Sequence, residues 1–120
     1  MGLAGVLSQV VDIKGVTSAA VVNGEGELID GVSSDHKDMG FVSGIIASGM
    51  ASSRVLADLL GEGDVSQTMI EYEDGPVILM PLGESGAHVM FATLEDISTL
   101  GRVRFQLKKL MPSLANAVAA

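Results

Sequence analysis

Apolar residues near the start of the chain recur at spacings of three and four. Leu3, Val6, Leu7, Val10 and Val11 would share one face of a short helix over residues 3–12, closed by Lys14-Gly15. Residues 18–22 are β-prone, and Asn23-Gly24-Glu25-Gly26 is a strong turn signal, because both glycines can take the positive φ of a tight hairpin. Residues 27–32 return as the second strand. Ser33-Ser34-Asp35 reads as a helix start, with a capping oxygen near Asp35 and Asp38 placed to favour the helix dipole. From about residue 36 to residue 60, Met39, Val42, Ile46, Met50, Leu56, Leu59 and Leu60 fall at helical spacing, and Gly61-Glu62-Gly63 ends the run.

Alternation takes over at residues 66–73, with Thr68, Ile70 and Tyr72 on one face and Gln67, Met69 and Glu71 on the other. Glu73-Asp74-Gly75 turns the chain into the nearly continuous apolar run 77–82, where Pro81 suits a strand end or an edge. Gly83-Glu84-Ser85-Gly86 turns it again into residues 87–94. A last helix is predicted from near Ser98, with Leu100, Val103, Leu107, Leu110 and Leu114 on one face. Pro112 is expected to bend or break it and leave a weaker tail over 114–120. The order α-β-β-α-β-β-β-α predicts an α+β domain over residues 1–120: a five-stranded antiparallel meander sandwiched by helices. Apolar runs on both faces of the later strands imply that the sheet is covered on both sides.

Composition narrows the function. Of 120 residues 48% are hydrophobic, enough for one core, but with three Phe, one Tyr and no Trp that core must be aliphatic. The absence of cysteine excludes disulfides, a thiolate nucleophile and cysteine-ligated metals. A net charge of −8 argues against nucleic acid as partner and would repel an anionic membrane. No run approaches the roughly 18 apolar residues of a bilayer-crossing segment, so no direct membrane insertion is expected, and the apolar start lacks the basic residues of a signal peptide. A cytoplasmic location is expected.

No active site assembles from the sequence. A phosphate loop of the form Gly-x-x-x-x-Gly-Lys-Ser/Thr is missing, and the glycine-rich Asn23–Gly26 segment leads into a strand and carries an acid. Asp35-His36-Lys37-Asp38 reads as a capped helix start, since neighbouring helical residues diverge and no second His stands four residues away. His88 sits among apolar strand neighbours, and Glu71 and Glu73 share an exposed strand face without the burial that raises a catalytic pKa. No Gly-x-Ser-x-Gly elbow occurs. The chain is therefore expected to be no enzyme, and to need neither cofactor nor metal.

Three stretches join these elements to a known family. They are residues 15–29 (Gly-Val-Thr-Ser-Ala-Ala-Val-Val-Asn-Gly-Glu-Gly-Glu-Leu-Ile), the segment from Glu71 through Glu73-Asp74-Gly75 to Val77-Ile78-Leu79-Met80-Pro81-Leu82-Gly83, and Thr99-Leu100-Gly101-Arg102-Val103-Arg104. With the element order, they resemble the roadblock family of dynein-associated light chains, in particular its prokaryotic, MglB-like members that regulate Ras-like GTPases. The resemblance spans nearly the whole chain, although each motif is mostly turns and apolar strand residues.

It implies a five-stranded antiparallel sheet with the long middle helix on one face and the terminal helices on the other. It implies a homodimer, or a heterodimer with a paralogue, through the middle helix and third strand, which places Met69 and Glu71 at the interface. It also implies a small Ras-like GTPase as partner, bound by a scaffold or GTPase-activating protein that works without a catalytic group of its own.

The residues themselves bear on two of these points. Gly40, Gly44, Ala47, Ser48, Ala51 and Ser52 would let a second helix approach closely; alternatively they only let the middle helix sit close to its own sheet. Serines and glycines are poor choices for a purely internal helix. Arg102, Arg104, Lys108 and Lys109 are four of only seven Lys and Arg, and read either as a solvated helix face or as a partner site. An arginine finger could come only from Arg54, Arg102 or Arg104. A small-ligand sensor and a structural adaptor in a motor or polarity complex are the competing functions, and the scarcity of aromatics counts against a ligand pocket.

Overall fold

The computed structural model describes residues 2–34, 39–83 and 86–119. Helix α1 spans Leu3–Val11, strand β1 Val16–Asn23 and strand β2 Leu28–Ser33. A single 3-10 turn, Gly40–Val42, runs into α2, Ser43–Leu60. Strands β3 (Thr68–Tyr72), β4 (Gly75–Leu82) and β5 (His88–Leu94) follow, then a second 3-10 turn, Ile97–Thr99, and α3, Leu100–Ala119.

All pairings are antiparallel, and the order across the sheet is β2-β1-β5-β4-β3. The expected plain meander is thus corrected. β3, β4 and β5 do follow one another, but β5 then docks against β1, and the connection through α2 carries the chain from one edge of the sheet to the other. The central strands explain why. Along β1, Ala19 and Val21 point into one core while Ala20 and Val22 point into the other; β4 and β5 divide their apolar residues likewise. Strands apolar on both faces belong in the middle, where each face can be covered.

Two cores result. On one face Val6, Leu7 and Val10 of α1 and Val103, Leu107 and Leu114 of α3 close over Val21, Ile78 and Met90. On the other, Ile46 and Met50 of α2 close over Ala20, Val22, Leu79 and Phe91.

The hairpins are made as the glycines suggested. In the β1–β2 turn the Asn23 side-chain oxygen accepts the N–H groups of Glu25 and Glu27, both at 3.0 Å, while Gly26 takes φ +85°. Between β3 and β4 the turn residues are Glu73 and Asp74, because Tyr72 already pairs with Gly75. Gly75, at φ +138°, lies so close to the end of β5 that a Cβ there would come within 2.2 Å of the Leu94 carbonyl oxygen. Gly61 ends α2 at φ +67° with open space around it.

Two local expectations are corrected. The middle helix does not begin at Ser33-Ser34-Asp35. Ser33 is the last residue of β2, the Ser34 N–H donates to the Thr17 carbonyl at 2.9 Å, and α2 starts at Ser43. Asp35–Asp38, with the proposed cap and the discounted metal cluster, lie outside the described residues, as do Glu84 and Ser85 of the last turn. Pro112 does not break the final helix: α3 runs on to Ala119. Pro112 itself is exposed, while Leu110, Met111, Leu114, Ala117 and Val118 all pack into the core, so tertiary burial holds the turns on either side of the missing N–H.

Pro81 sits one residue before the end of β4, an inner strand, so of the two expectations the strand end holds and the edge does not. The β3–β4 pairing ends at Leu79, however, so its missing N–H costs no ladder bond on that side.

The approach to α3 is organised by Asp96, whose Oδ1 accepts both the Ser98 hydroxyl and the Ser98 N–H. These two bonds, the hydroxyl's first, hold the Asp96 carboxyl below its ordinary range. A carboxyl with a lowered folded-state pKa stabilises above its unfolded value, ordinarily 3.8, and loses that contribution as pH falls through the folded value. The stability difference between wild type and Asp96→Asn, followed by chemical denaturation, is expected to favour wild type at neutral pH and to shrink in acid below that point.

The two glycines give a matched test of backbone geometry. Gly61→Ala meets no neighbour and should cost about 1 kcal/mol, the penalty of a left-handed alanine. Gly75→Ala adds a backbone collision and should cost about 3 kcal/mol or more. Urea midpoints that shift equally for the two variants would contradict the close approach of the β3–β4 turn to Leu94.

Candidate protein-interaction surface

With 3.6 residues per turn, Ser43, Ile46, Met50, Ser53 and Ala57 form the side of α2 turned to the sheet. The opposite side carries Phe41 from the preceding turn, then Ile45, Ser48, Ser52, Val55 and Leu59, alternately four and three residues apart. It is not covered. Phe41, Ile45 and Leu59 are 78%, 76% and 79% exposed, and Val55, Leu56 and Leu60 are also open. Exposed apolar area on this scale marks an interaction surface.

This helix face continues into the sheet. The Thr68 hydroxyl at the start of β3 donates to Ser53 Oγ at 2.7 Å, and the Ser53 hydroxyl donates to the Gly49 carbonyl at 2.8 Å. That relay fixes the side of α2 bearing Gly49, Leu56 and Leu60 beside β3. β3 is an edge strand, exposed on both faces at Met69, Ile70, Glu71 and Tyr72. The other edge is less available: α1 packs across β2, and the Asp30 carboxylate already takes up the Gly31 N–H at 2.8 Å.

The expected small-residue contact set divides over this geometry. Ser48 and Ser52 lie in the middle of the apolar stripe. Gly44 and Ala51 are exposed and Ala47 is half-buried on the flank away from β3, where Gly44 meets Gly26 of the β1–β2 turn. Gly40 is exposed in the turn before α2. Gly49, omitted from that set, is half-buried on the β3 flank, where its carbonyl accepts the Ser53 hydroxyl. The large exposed residues Leu56, Leu59 and Leu60 fall in the same helical run of the sequence as Ile46 and Met50, although they do not share the inward face. Their offset from Ile46 and Met50 is the signal that separates them.

The 21-residue segment Gly40–Leu60 contains an 18-residue window of mean hydropathy 1.2, of which 17% is buried, so by length and composition alone it is long and apolar enough to cross a membrane. This corrects the expectation that no such run exists. Its ends nevertheless feed strands of one sheet, and Ile46 and Met50 are packed onto that sheet. The helix lies along the domain, and its outer face needs a different cover.

The basic residues are elsewhere. Arg102, Arg104, Lys108 and Lys109 are exposed on α3, across the sheet from α2. Arg54 is on α2, with its guanidinium donating to the Gly86 carbonyl beside the β4–β5 turn. The three arginines do not converge. His88 is half-buried at the start of β5, and Glu71 and Glu73 are exposed. Among the described residues no three His, Asp or Glu side chains gather to hold a metal.

An open cavity of about 370 Å³ lies between Met39, Phe41, Tyr72 and Phe91. Its floor holds Thr17, Ser18 and Thr93, where an irregularity in the β1–β5 register brings their hydroxyls within 2.5 to 2.6 Å of one another. Those hydroxyls satisfy each other rather than pointing to a ligand.

The roadblock/LC7 domain model matches residues 4–94. The chain belongs to the roadblock/LC7 family. No curated protein matches the sequence significantly. Among solved structures, Myxococcus xanthus MglB superposes with a TM-score of 0.87 at 19% identity, covering 98% of this chain and 94% of that one. A roadblock/LC7 domain from Streptomyces avermitilis gives 0.81 at 17% identity, with both chains covered completely. An MglB described as having a tetrameric arrangement gives 0.78 at 21% identity, covering 96% of this chain and 86% of that one. At these identities the likeness is one of fold. It extends over the whole of this roadblock domain, α3 included, beyond the stretch that the family model matches.

Proposed function

We propose that this roadblock domain is a non-catalytic protein that pairs with a second copy of itself or with a paralogue, and that the pair regulates or scaffolds a small Ras-like GTPase in the cytoplasm. The observation that carries the pairing is the continuous, uncovered surface joining the outer face of α2 to the open edge of β3. Two β3 edges joined antiparallel would be related by a two-fold axis normal to the sheet, which keeps both α2 helices on the same side. There they run antiparallel, with Ile45 opposite the Leu56 of the second copy and Gly49 opposite its Ser52. Large residues meet at the ends and small ones in the middle, where the helices approach most closely.

The GTPase reading rests on family membership and on the resemblance to MglB-like regulators. Regulation requires a difference in affinity for the two nucleotide states, because a protein that binds both equally shifts neither. Acceleration would come from ordering the switch loops of the GTPase around its own catalytic residues. That route suits the arginines of this chain: Arg54 is engaged at Gly86, and Arg102 and Arg104 face away from α2.

Two measurements test the proposal. Light scattering at micromolar concentration should give about twice the 12.3 kDa chain mass. Ile45→Glu and Leu56→Glu, both at exposed positions, should each yield monomer with an unchanged circular dichroism spectrum; variants that remain paired would remove α2 from the interface. With its cognate Ras-like GTPase, the protein should bind the GTP form more tightly than the GDP form and hydrolyse no GTP alone. Substituting Arg54, Arg102 or Arg104 singly should lower activation only as far as it lowers binding. Loss of activation with binding intact would instead reveal a supplied arginine, and equal affinity for both forms would leave a scaffold.

A further inference from the structure

The charge of the chain is distributed unevenly between its two faces. α1 and α3, which together form one outer layer, contain four cations and no carboxylate. All fifteen acids of the chain therefore lie outside these two helices, against three remaining cations. The net charge of −8 conceals a basic face.

That face is compact. Arg102, Arg104, Lys108 and Lys109 fall within two turns of α3, about 10 Å along its axis. Opposite the buried line of Val103, Leu107 and Leu114 the helix presents Phe105, 60% exposed, flanked by Lys108 and Lys109 with Arg102 one turn earlier. The Lys109 ammonium sits 4.5 Å from the centroid of the Phe105 ring, so cation and ring are offered together. Among the described residues none of the four cations is held in an ion pair. The carboxylates nearest in sequence are Glu95 and Asp96 ahead of α3, and in space Asp12 lines the shallow groove between α1 and α3 together with Lys14, Arg102 and Lys109.

We propose that this outer face of α3 docks the protein on an anionic phospholipid surface. An aromatic ring that is 60% exposed gains little in a solvated helix face beyond its contact with Lys109, whereas at a bilayer it enters the headgroup layer while the long Lys and Arg side chains keep their charges at the phosphates. Four Lys or Arg on one helix is the density at which acidic lipids are bound. An acidic peptide is the less fitting occupant, because no strand edge stands beside the cations to order an extended chain, and a peptide held by Arg102 and Lys109 in the α1–α3 groove would leave Phe105 uncovered at the crest of the helix. The inference holds whether or not the chain pairs; pairing through β3 would place both basic faces on the same side.

Sedimentation with vesicles of phosphatidylcholine containing about 30% phosphatidylglycerol tests this directly. The protein should pellet with these vesicles, fail to pellet with pure phosphatidylcholine, and be released as ionic strength rises from about 0.1 M to about 1 M. At roughly fivefold per cation, the double variant Lys108→Gln, Lys109→Gln should bind roughly 25-fold more weakly. Phe105→Ser should also weaken binding, with circular dichroism unchanged in both. Equal binding to the two vesicle types, binding to neither, or variants that bind as wild type would overturn the proposal. Retention on immobilised polyglutamate without vesicle binding would overturn it too, in favour of an acidic protein partner.

Discussion

Strands β1, β4 and β5 are apolar on both faces, and the rest of the molecule is arranged to keep water from them. Two helices share one face of the sheet, whereas α2 guards the other alone. A single helix covers a strip about 10 Å wide, and three strands at their usual spacing nearly fill it. β3, the fifth strand in the row, falls beyond that cover. The open edge strand and the exposed flank of α2 beside it therefore have one cause: five strands, two apolar faces and only three helices.

The same arrangement separates two kinds of surface. The α2 side is apolar and carries its cation, Arg54, tied to the β4–β5 turn. The α3 side is basic with one aromatic at its crest. The sheet with its two cores lies between them, so a protein bound on one side leaves the other free. That suits a domain with two separate docking faces.

What was legible in the sequence followed from local chemistry. Asn23 and Gly26 shape one hairpin, Gly61 stops α2, and the spacing of Val103, Leu107 and Leu114 selects the buried face of α3; each depends on a few neighbouring residues. What was not legible depended on distant ones. Nothing in residues 16–23 announces that their neighbour is residues 88–94, because a strand apolar on both faces fits any central place. Pro112 obeyed its propensity only until Leu114 and Val118 found a core to enter. Exposed leucines on α2 looked like inward ones because hydrophobicity alone does not say which of two apolar stripes meets the sheet. The candidate surface was legible in outline, through the small residues of α2, but its large members Phe41, Ile45 and Val55 became visible only once Ile46 and Met50 had claimed the other side.

The engagement of the Gly31 N–H by Asp30 bears on how large an assembly this fold can build. A sheet with two open edges is bivalent and adds copies without limit, as fibres do. Here one edge has an N–H taken up by a side-chain carboxylate and is flanked by α1, leaving β3, among the described strands, the readier to extend the ladder. In polymer terms the chain is a monofunctional unit: the first strand it accepts is also a terminator, and growth through the sheet ends with that addition.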